Sequence, residues 1–306
     1  DPDNMPTHRI PRNSPALFNL GASEFTVLFH DGRIEVDAAM ASGFRTPLED
    51  DMLGGFASLL SAQTMFPVLS PDEMAGHGGE NNVAKAVRQG LITGSDGAWD
   101  ILSRRVADLP DYARRFSAVY DHIDTPDDIA FTDISNAIAV FIAHEWRSDT
   151  SAFDAYLRDP TVGLPLKAEQ GMELFYGDAG CNACHSGPFQ TDHGFHAMGA
   201  PQLGPGKAAA FEDNAHDTGR MRVTGDTDDA FAFRTPSLRN VMQTGPWGHA
   251  GGHSTIEHFL RDHLDPVAGT ARFAQSSTAR LGVRLPPLMG NDWREMDDPA
   301  ARESIV

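Results

Sequence analysis

The sequence is poor in basic residues and contains no long apolar run. Lysine and arginine number 24 against 43 aspartates and glutamates, and the formal net charge at pH 7 is −19. Nucleic acids and anionic membrane surfaces are bound through basic patches, so we expect neither as a partner, whereas a basic protein partner is compatible with this charge. The apolar run in AIAVFIAHEW stops at His144, short of the roughly 20 residues of a membrane-spanning helix. We therefore expect no membrane span.

The amino terminus lacks the features of an export signal. It reads DPDNMPTHRI, without a start methionine, a basic region or an apolar core. We expect the sequence to be a processed or truncated product. The remaining composition, 41% hydrophobic and 22% charged, is typical of a globular protein, and 306 residues suffice for two domains.

Cysteine is nearly absent, and both cysteines lie in the stretch GDAGCNACHSGPFQTDHGF, residues 177–195. Cys181 and Cys184 are followed by His185, which gives the Cys-x-x-Cys-His sequence of c-type haem attachment. The two thiols add to the haem vinyl groups, and the adjacent imidazole binds the iron. A disulfide would not require His185, and zinc would require a second Cys or His pair, so we expect one covalent haem c here. Haem is attached to such motifs outside the bacterial cytoplasm, which predicts a periplasmic protein.

Apolar periodicity predicts a mainly α protein. Helices are expected over 82–90, 97–108, 110–121 and 132–146. The last of these has Thr132 as its cap and apolar residues nearly all round, which predicts burial on all sides. Strand signals are sparse. The stretch 147–165 is the expected domain boundary, and the stretch 199–230, rich in glycine and aspartate, is expected to be a loop.

A downstream segment contains a candidate for the second iron ligand. Ser254 and Glu257 have the spacing of a capping box, which predicts the start of a helix. Four residues of this helix share one face: Ile256, Phe259, Leu260 and His263. A lone histidine on such a face is more often bonded to a backbone carbonyl, but a nearby haem favours His263 as the second ligand. Met198 and Met242 are rival candidates, because methionine is also a common axial ligand.

Four fragments form an ordered series around the haem motif. They are RNSPALFN (12–19), FHDGR (29–33), FRTPSLRN (233–240) and GPWGHAG (245–251). In this series the chain resembles the bacterial di-haem cytochrome c peroxidases, a family that includes the di-haem enzymes that oxidise tryptophans during methylamine utilisation. The resemblance runs from residue 12 to residue 266.

The resemblance implies two c-type cytochrome domains, with peroxide reacting at the N-terminal haem and electrons passing to it from the C-terminal haem. The motif at 181–185 matches the C-terminal site. The family's N-terminal motif lies shortly before the segment that matches RNSPALFN, so a second haem is expected on a segment absent from this sequence. We expect two cytochrome c-like domains, the first lacking its N-terminal haem-attachment segment. Residues 1–160 would form this incomplete peroxidatic-type domain, and residues 161–306 the c-haem electron-transfer domain.

The resemblance also implies a pocket over the peroxide-binding haem. In SAQTMFPVLSPDEMAG, the residues Gln63, Pro67 and Glu73 keep the family's spacing for the distal residues. Cleavage of the O–O bond requires a proton to move from the inner to the outer oxygen, and a positioned carboxylate can carry it. Read without the resemblance, Glu73 is a surface carboxylate beside a turn.

A calcium ion is a further implication of the resemblance. The matching ligands are the side chain of Asn13 and the carbonyls of Thr244 and Pro246, and oxygen-only ligands suit this hard cation. Without the resemblance, Asn13 is a typical turn residue.

The sequence departs from the family pattern at two positions. His30 stands where relatives carry a tryptophan between the haems, and imidazole is harder to oxidise than indole. His263 stands at the position of the C-terminal haem's methionine, or of tyrosine in the tryptophan-oxidising relatives. This predicts a haem bound by His185 and His263, with a lower potential than a methionine-ligated haem. His249 also matches a family histidine near the C-terminal haem, and its role stays open.

The leading functional expectation is a periplasmic di-haem cytochrome c peroxidase. It would reduce hydrogen peroxide to water with electrons from a small cytochrome c or cupredoxin, and a homodimer is compatible with it. One alternative is an oxidase that removes electrons from aromatic side chains of a partner protein. The other is a mono-haem electron carrier or haem-bearing interaction protein, which a single attachment motif favours.

Overall fold

A computed structural model describes residues 10–77, 79–202 and 216–281, with only the backbone described for 274–281. These residues form two compact units. The first contains residues 10, 20–28 and 33–145, and the second contains 11–19, 29–32 and the chain from Trp146 onward. The predicted division into cytochrome domains at 160/161 stays a prediction. The predicted boundary stretch 147–165 contains a helix and belongs to the second unit.

The first unit is mainly helical. Its three short strands, β1 (Val27–Leu28), β2 (Ile34–Val36) and β3 (Phe44–Arg45), form an antiparallel sheet in that order. Its five helices are α1 (Leu59–Thr64), α2 (Asn82–Arg88), α3 (Ala98–Ala107), α4 (Pro110–Val119) and α5 (Phe131–Glu145). A single π-helical turn occupies Pro71–Ala75. The four helices expected between residues 82 and 146 are confirmed, with their ends within two residues of the predicted positions.

Local signals explain where these helices begin. Asn81 caps α2 because its side chain accepts a hydrogen bond from the amide of Ala84 at 2.9 Å. Pro110 begins α4. A backbone N–H at the first position of a helix makes no intrahelical hydrogen bond, so proline, which has no N–H, costs nothing there. Trp99 of α3 is 1% exposed and stacks on Phe131 of α5, with ring centroids 5.6 Å apart. The core around this pair contains Met52, Phe56, Ala62 and Met65.

The expectation that α5 is buried on all sides is wrong. Val140 and Phe141 are 68% and 56% exposed, because the helix packs against α1 and α3 through one face only. The helix also begins at Phe131 rather than after Thr132. Asp133 is placed at this start, where its carboxylate accepts from the amide of Ala130 at 2.9 Å.

The second unit carries the haem motif. Its described helices are α6 (Ala152–Arg158), α7 (Leu166–Tyr176), α8 (Met221–Thr224), α9 (Ile256–Leu264) and α10 (Pro266–Leu281). Two short strands, β4 (Phe195–His196) and β5 (Phe233–Arg234), pair antiparallel. The expected loop over 199–230 is interrupted by α8, and residues 203–215 of it lie outside the described residues. Mainly α architecture is confirmed, and among the described helices none is both long and apolar enough to cross a bilayer.

A buried ion cluster joins distant parts of the second unit. Arg12 binds both carboxylate oxygens of Asp217 at 2.7 Å and one oxygen of Asp31 at 2.6 Å. The three residues are 8%, 3% and 2% exposed. Burial alone would raise the pKa of Asp217, but the hydrogen bonds and charge of Arg12 lower it to about 2. The cluster therefore holds an ionised carboxylate where an unpaired one would be strongly unfavourable.

We expect Asp217→Ala to lower the free energy of unfolding by about 3 kcal/mol, because Arg12 loses its two-oxygen partner in a buried site. Urea unfolding at neutral pH measures this difference. Since the folded pKa of Asp217 is about 2 against an ordinary 3.8, its contribution is present above the ordinary value and is lost as pH falls towards 2. The difference in the free energy of unfolding between the variant and the wild type should therefore become smaller in acid. Asp178→Ala, at an exposed position of the same unit, should change stability by less than about 0.5 kcal/mol.

Candidate functional site

The haem motif forms a tight turn immediately after α7. Gly180 has a φ of 66°, a left-handed conformation that favours glycine, and a 3₁₀ turn follows over Cys181–Ala183. The amide of His185 donates to the carbonyl of Cys181 at 2.9 Å, which closes the turn. Both thiols are free and half-buried. The turn therefore gathers two thiols and an imidazole, the group that covalent haem attachment requires.

The imidazole of His185 is oriented by one hydrogen bond. Its Nδ1 lies 3.0 Å from the carbonyl oxygen of Gln190, so Nδ1–H donates and Nε2 is left for a metal. Burial lowers the pKa of His185 and outweighs the opposite effect of this hydrogen bond. The ring is therefore neutral, the form in which imidazole binds a metal. Gln190 has a φ of 52°, an uncommon conformation for a residue with a side chain, and no sequence signal indicated it.

The structure brings His263 opposite His185. Their ring centroids lie 6.4 Å apart. Two imidazoles on one iron, each with a metal–nitrogen bond of about 2 Å, would have centroids roughly 6 Å apart, so the spacing fits shared ligation. Burial lowers the pKa of His263, and the proximity of His185 lowers it further. Met242, a rival ligand from the sequence, is 65% exposed.

The start of α9 differs from the predicted capping box by one residue. Thr255, not Ser254, is the N-cap, and its hydroxyl accepts from the amide of His258 at 3.3 Å. Either hydroxyl suits an N-cap, so the local sequence does not distinguish them. Leu260 was expected on the buried face with His263, yet it is 48% exposed.

A buried ion cluster that the sequence did not indicate anchors α9. Asp262 is 6% exposed and binds Nε2 of His253 and Nε of Arg272, each at 2.9 Å. Burial alone would raise the pKa of Asp262, but these two hydrogen bonds lower it below its ordinary value. A Cβ on Gly269 would lie 2.7 Å from that of Asp262, so α10 approaches α9 closely at this point. Because Asp262 directly precedes His263, the cluster also positions the candidate ligand.

Two of the proposed calcium ligands are already in contact. The side-chain amide of Asn13 donates to the carbonyl of Pro246 at 2.7 Å. The backbone of Asn13 is tied down as well, since its amide donates to the carbonyl of His249 at 2.7 Å and its carbonyl accepts from Nε2 of His30 at 2.9 Å. Thr244 lies two residues from Pro246, with its hydroxyl bonded to the carbonyl of Val241. The structure thus brings together two of the three predicted ligand residues, Asn13 and Pro246.

Two histidines beside this region, the buried His249 and the half-buried His30, are neutral. Burial lowers the pKa of His30 to about 4 and that of His249 to about 3. His249 stacks on Phe233 with ring centroids 3.8 Å apart, and neither of its ring nitrogens has a hydrogen-bond partner among the described residues. Arg234 is 9% exposed and donates to the carbonyls of Phe29 and Thr235. Burial lowers its pKa to about 10.

The two predicted peroxide-site residues lie on different elements of the first unit. Gln63 lies on α1, and its side-chain oxygen is buried without a hydrogen-bond partner among the described residues. Glu73 lies in the π-helical turn and is exposed. No hydrogen bond joins the two within this part of the chain. An unpartnered buried acceptor is uncommon in folded proteins and marks Gln63 as a residue that a ligand could satisfy.

Cys184, Asp192 and His196 form a group that no sequence motif indicated. Their potential ligand atoms lie within 4.8 Å of one another. His196 and Asp192 are already bonded to each other at 2.8 Å, and Cys184 is one of the two thiols of the haem motif. The group is therefore more simply interpreted as a carboxylate that orients a histidine beside the motif.

Comparison with known proteins identifies the family to which this chain belongs. Residues 3–161 match the family model of the di-haem cytochrome c peroxidases, which is more than half of the chain. The chain belongs to this family, as its ordered motifs predict.

The individual relatives include proteins named as cytochrome c peroxidases and a protein named for methylamine utilization. The cytochrome c551 peroxidase of Nitrosomonas europaea is 30% identical over 237 residues, which cover 78% of this chain and 60% of that protein. The methylamine utilization protein MauG of Methylorubrum extorquens is 30% identical over 68% of this chain and 49% of its own length. The cytochrome c peroxidase Ccp of Escherichia coli is 27% identical over 83% of this chain and 55% of its own length. The chain thus spans about half of the length of these relatives.

The fold is also similar to that of a solved structure. The diheme peroxidase BthA from Burkholderia thailandensis matches 99% of this chain and 66% of its own chain, with a TM-score of 0.57 and 19% identity. At this identity the likeness concerns the fold alone.

We expect Asp262→Ala to lower the free energy of unfolding by about 3 kcal/mol, because it removes the buried carboxylate to which His253 and Arg272 bind. Because the folded pKa of Asp262 is depressed, its contribution is present above the ordinary value and is lost as pH falls below it. Denaturant unfolding of the two proteins measures the loss. Glu257→Ala, at an exposed position on the same helix, is the matched control and should differ from wild type by less than about 0.5 kcal/mol. Equal effects of both substitutions would contradict a special role for Asp262.

Proposed function

We propose that this chain is part of a periplasmic di-haem cytochrome c peroxidase and carries its electron-transfer haem. The reaction would be the two-electron, two-proton reduction of hydrogen peroxide to two water molecules. The observation that carries the proposal is the pairing of His185 and His263, whose ring centroids lie 6.4 Å apart beside two free thiols. Membership of the peroxidase family supports the choice of peroxide as substrate.

In this proposal Cys181 and Cys184 hold the haem covalently, and His185 and His263 bind its iron. When bound, the haem supplies one-electron chemistry. The chain fixes the direction of His185 through Gln190, and it fixes α9 through Asp262. A second haem c, as the family carries, would need cysteines outside these 306 residues, since both cysteines of the sequence lie in one motif. The expected division into domains 1–160 and 161–306 is part of this proposal.

Glu73 and Gln63 are proposed to serve peroxide. A carboxylate oxygen of Glu73 would take the proton from the inner peroxide oxygen and deliver it to the outer one, which makes water a leaving group. The unpartnered side-chain oxygen of Gln63 would accept a hydrogen bond from the bound peroxide or from a water that accompanies it. Both roles rest on the family spacing of these residues.

Two further components belong to the proposal. Ca²⁺ would be bound by the side-chain oxygen of Asn13 and the carbonyls of Thr244 and Pro246. This requires the side-chain amide of Asn13 to rotate so that its oxygen takes the place of its nitrogen.

The electron donor would be a small cytochrome c or cupredoxin. The net charge of −19 favours a donor with a basic surface, because opposite charges accelerate encounter.

A second candidate function is the oxidation of aromatic side chains of a partner protein. His263 in place of the family's methionine favours it, because a low-potential haem is a poorer relay for a peroxidase donor. An oxidised state that persists after peroxide addition, and decays only when a protein partner is added, would favour this candidate over peroxide reduction.

We expect Glu73→Gln to lower peroxide turnover by about 100-fold or more, because glutamine cannot carry a proton between the peroxide oxygens. Steady-state oxidation of a reduced small cytochrome by the full-length holoprotein measures the loss. Asp72→Asn is the matched control, since Asp72 is the neighbouring exposed carboxylate of the same turn. Undiminished turnover in the Glu73 variant would exclude this residue from the reaction.

We expect His263→Met to raise the reduction potential of the haem, because thioether sulfur stabilises the reduced iron better than imidazole does. The increase in reduction potential should be a measurable part of the roughly 0.8 V range that axial ligands control. Potentiometric titration of the haem absorption measures it. His258→Met, on another face of α9, should leave the potential unchanged.

A further inference from the structure

A series of aromatic rings leads from His185 towards the surface of the second unit. Adjacent ring centroids are 5.0 to 6.4 Å apart along the order Tyr156, Phe153, Tyr176, Phe175 and His185. The rings of Tyr156, Phe153 and Tyr176 are nearly parallel, with interplanar angles of 16° and 18°. Aromatic rings at these separations are in direct contact. Each ring in the series therefore contacts the next one.

Tyr176 has a second connection to His185, through hydrogen bonds. The side-chain amide of Gln190 donates to the phenol oxygen of Tyr176 at 3.4 Å, and its backbone carbonyl accepts from Nδ1 of His185 at 3.0 Å. One residue thus holds both the phenol and the imidazole. Tyr176 is also 37% exposed, so a proton released by its hydroxyl can pass to water.

The other tyrosines of the chain lack this combination. The sequence has four tyrosines in all. Tyr112 and Tyr120 belong to the first unit, where Tyr112 is 53% exposed and Tyr120 stacks on Phe116. Tyr156 is two ring contacts further from His185 than Tyr176 is, because Phe153 lies between them. Tyr176 is therefore the oxidisable side chain nearest to His185 along the series.

We propose that Tyr176 is a redox relay between the haem held by His185 and the protein surface. When peroxide has taken electrons from the holoprotein and no donor is bound, the Tyr176 phenol would give up one electron by way of Phe175 and His185. The haem that His185 and His263 would hold would supply the one-electron acceptor. Loss of this electron breaks the phenol O–H bond, and the proton goes to water, which leaves a neutral tyrosyl radical. A donor electron and a proton from solvent restore the phenol. This inference rests on the proposed function, since peroxide is the oxidant.

The test uses the full-length holoprotein, treated with one equivalent of hydrogen peroxide and frozen. Electron paramagnetic resonance detects the tyrosyl radical, and the haem absorption spectrum of the same sample reports oxidation of the haem. Tyr176→Phe keeps the ring in the stack and removes only the oxidisable hydroxyl, so a purely structural role would leave the radical signal unchanged. Tyr112→Phe is the control at an exposed tyrosine outside the series.

The expected result is a tyrosyl signal in the wild type that is lost in Tyr176→Phe and kept in Tyr112→Phe, with haem oxidation equal in all three. Tyr176→Trp should restore a radical of indole type at the same site. An oxidised haem with no tyrosyl signal, or with a signal unchanged in Tyr176→Phe, overturns the relay and leaves the peroxidase proposal standing. A haem spectrum that does not respond to peroxide overturns the proposed function and the relay with it.

Discussion

The hydrogen bond from Nδ1 of His185 to the carbonyl of Gln190 determines how this site can work. It leaves Nε2 as the nitrogen available to a metal, and it aims the ring towards His263. The carbonyl is presented by a left-handed backbone conformation at Gln190, which costs a non-glycine residue of order 1 kcal/mol. The loop over 184–192 sustains this conformation through other bonds, among them the one from the amide of Asp192 to the carbonyl of Cys184 at 2.8 Å. Ligand geometry thus depends on the backbone of a loop.

The second imidazole depends on a different kind of constraint. His263 follows Asp262, which is fixed by charge and hydrogen bonds from His253 and Arg272 rather than by a turn. Two segments outside α9, the stretch before it and α10, therefore determine its orientation. A buried carboxylate with two such partners holds its position tightly, because loss of either partner would leave charge uncompensated in a poorly solvated place. Stability and the position of the candidate ligand are consequently difficult to separate by mutation at Asp262.

Much of the fold and part of the site follow from local sequence. The periodicity that predicts four helices between residues 82 and 146 is local, and so is the helical spacing that places His263 beside Phe259, on which its ring stacks. Contacts between elements are not local, which is why the exposed face of α5 and the burial of Asp262 were missed. The position of Gln190 is a backbone property with no residue-type signature. Glu73 and Gln63 stay predictions, because their suggested relation rests on the family's spacing and not on a contact between them.

The Arg12 cluster has a consequence for how the second unit folds. Arg12 and Asp217 are separated by 205 residues of chain, and closing such a loop costs about 5 kcal/mol in entropy beyond a constant term. Residues 33–145, which belong to the first unit, lie within that loop, and the helices α2 to α5 among them follow one another closely along the chain. Helical units with local contacts form quickly, whereas contacts between distant segments form slowly. The two-oxygen contact between Arg12 and Asp217 is therefore expected to form late, whereas Asp31, only 19 residues from Arg12, can pair with it earlier.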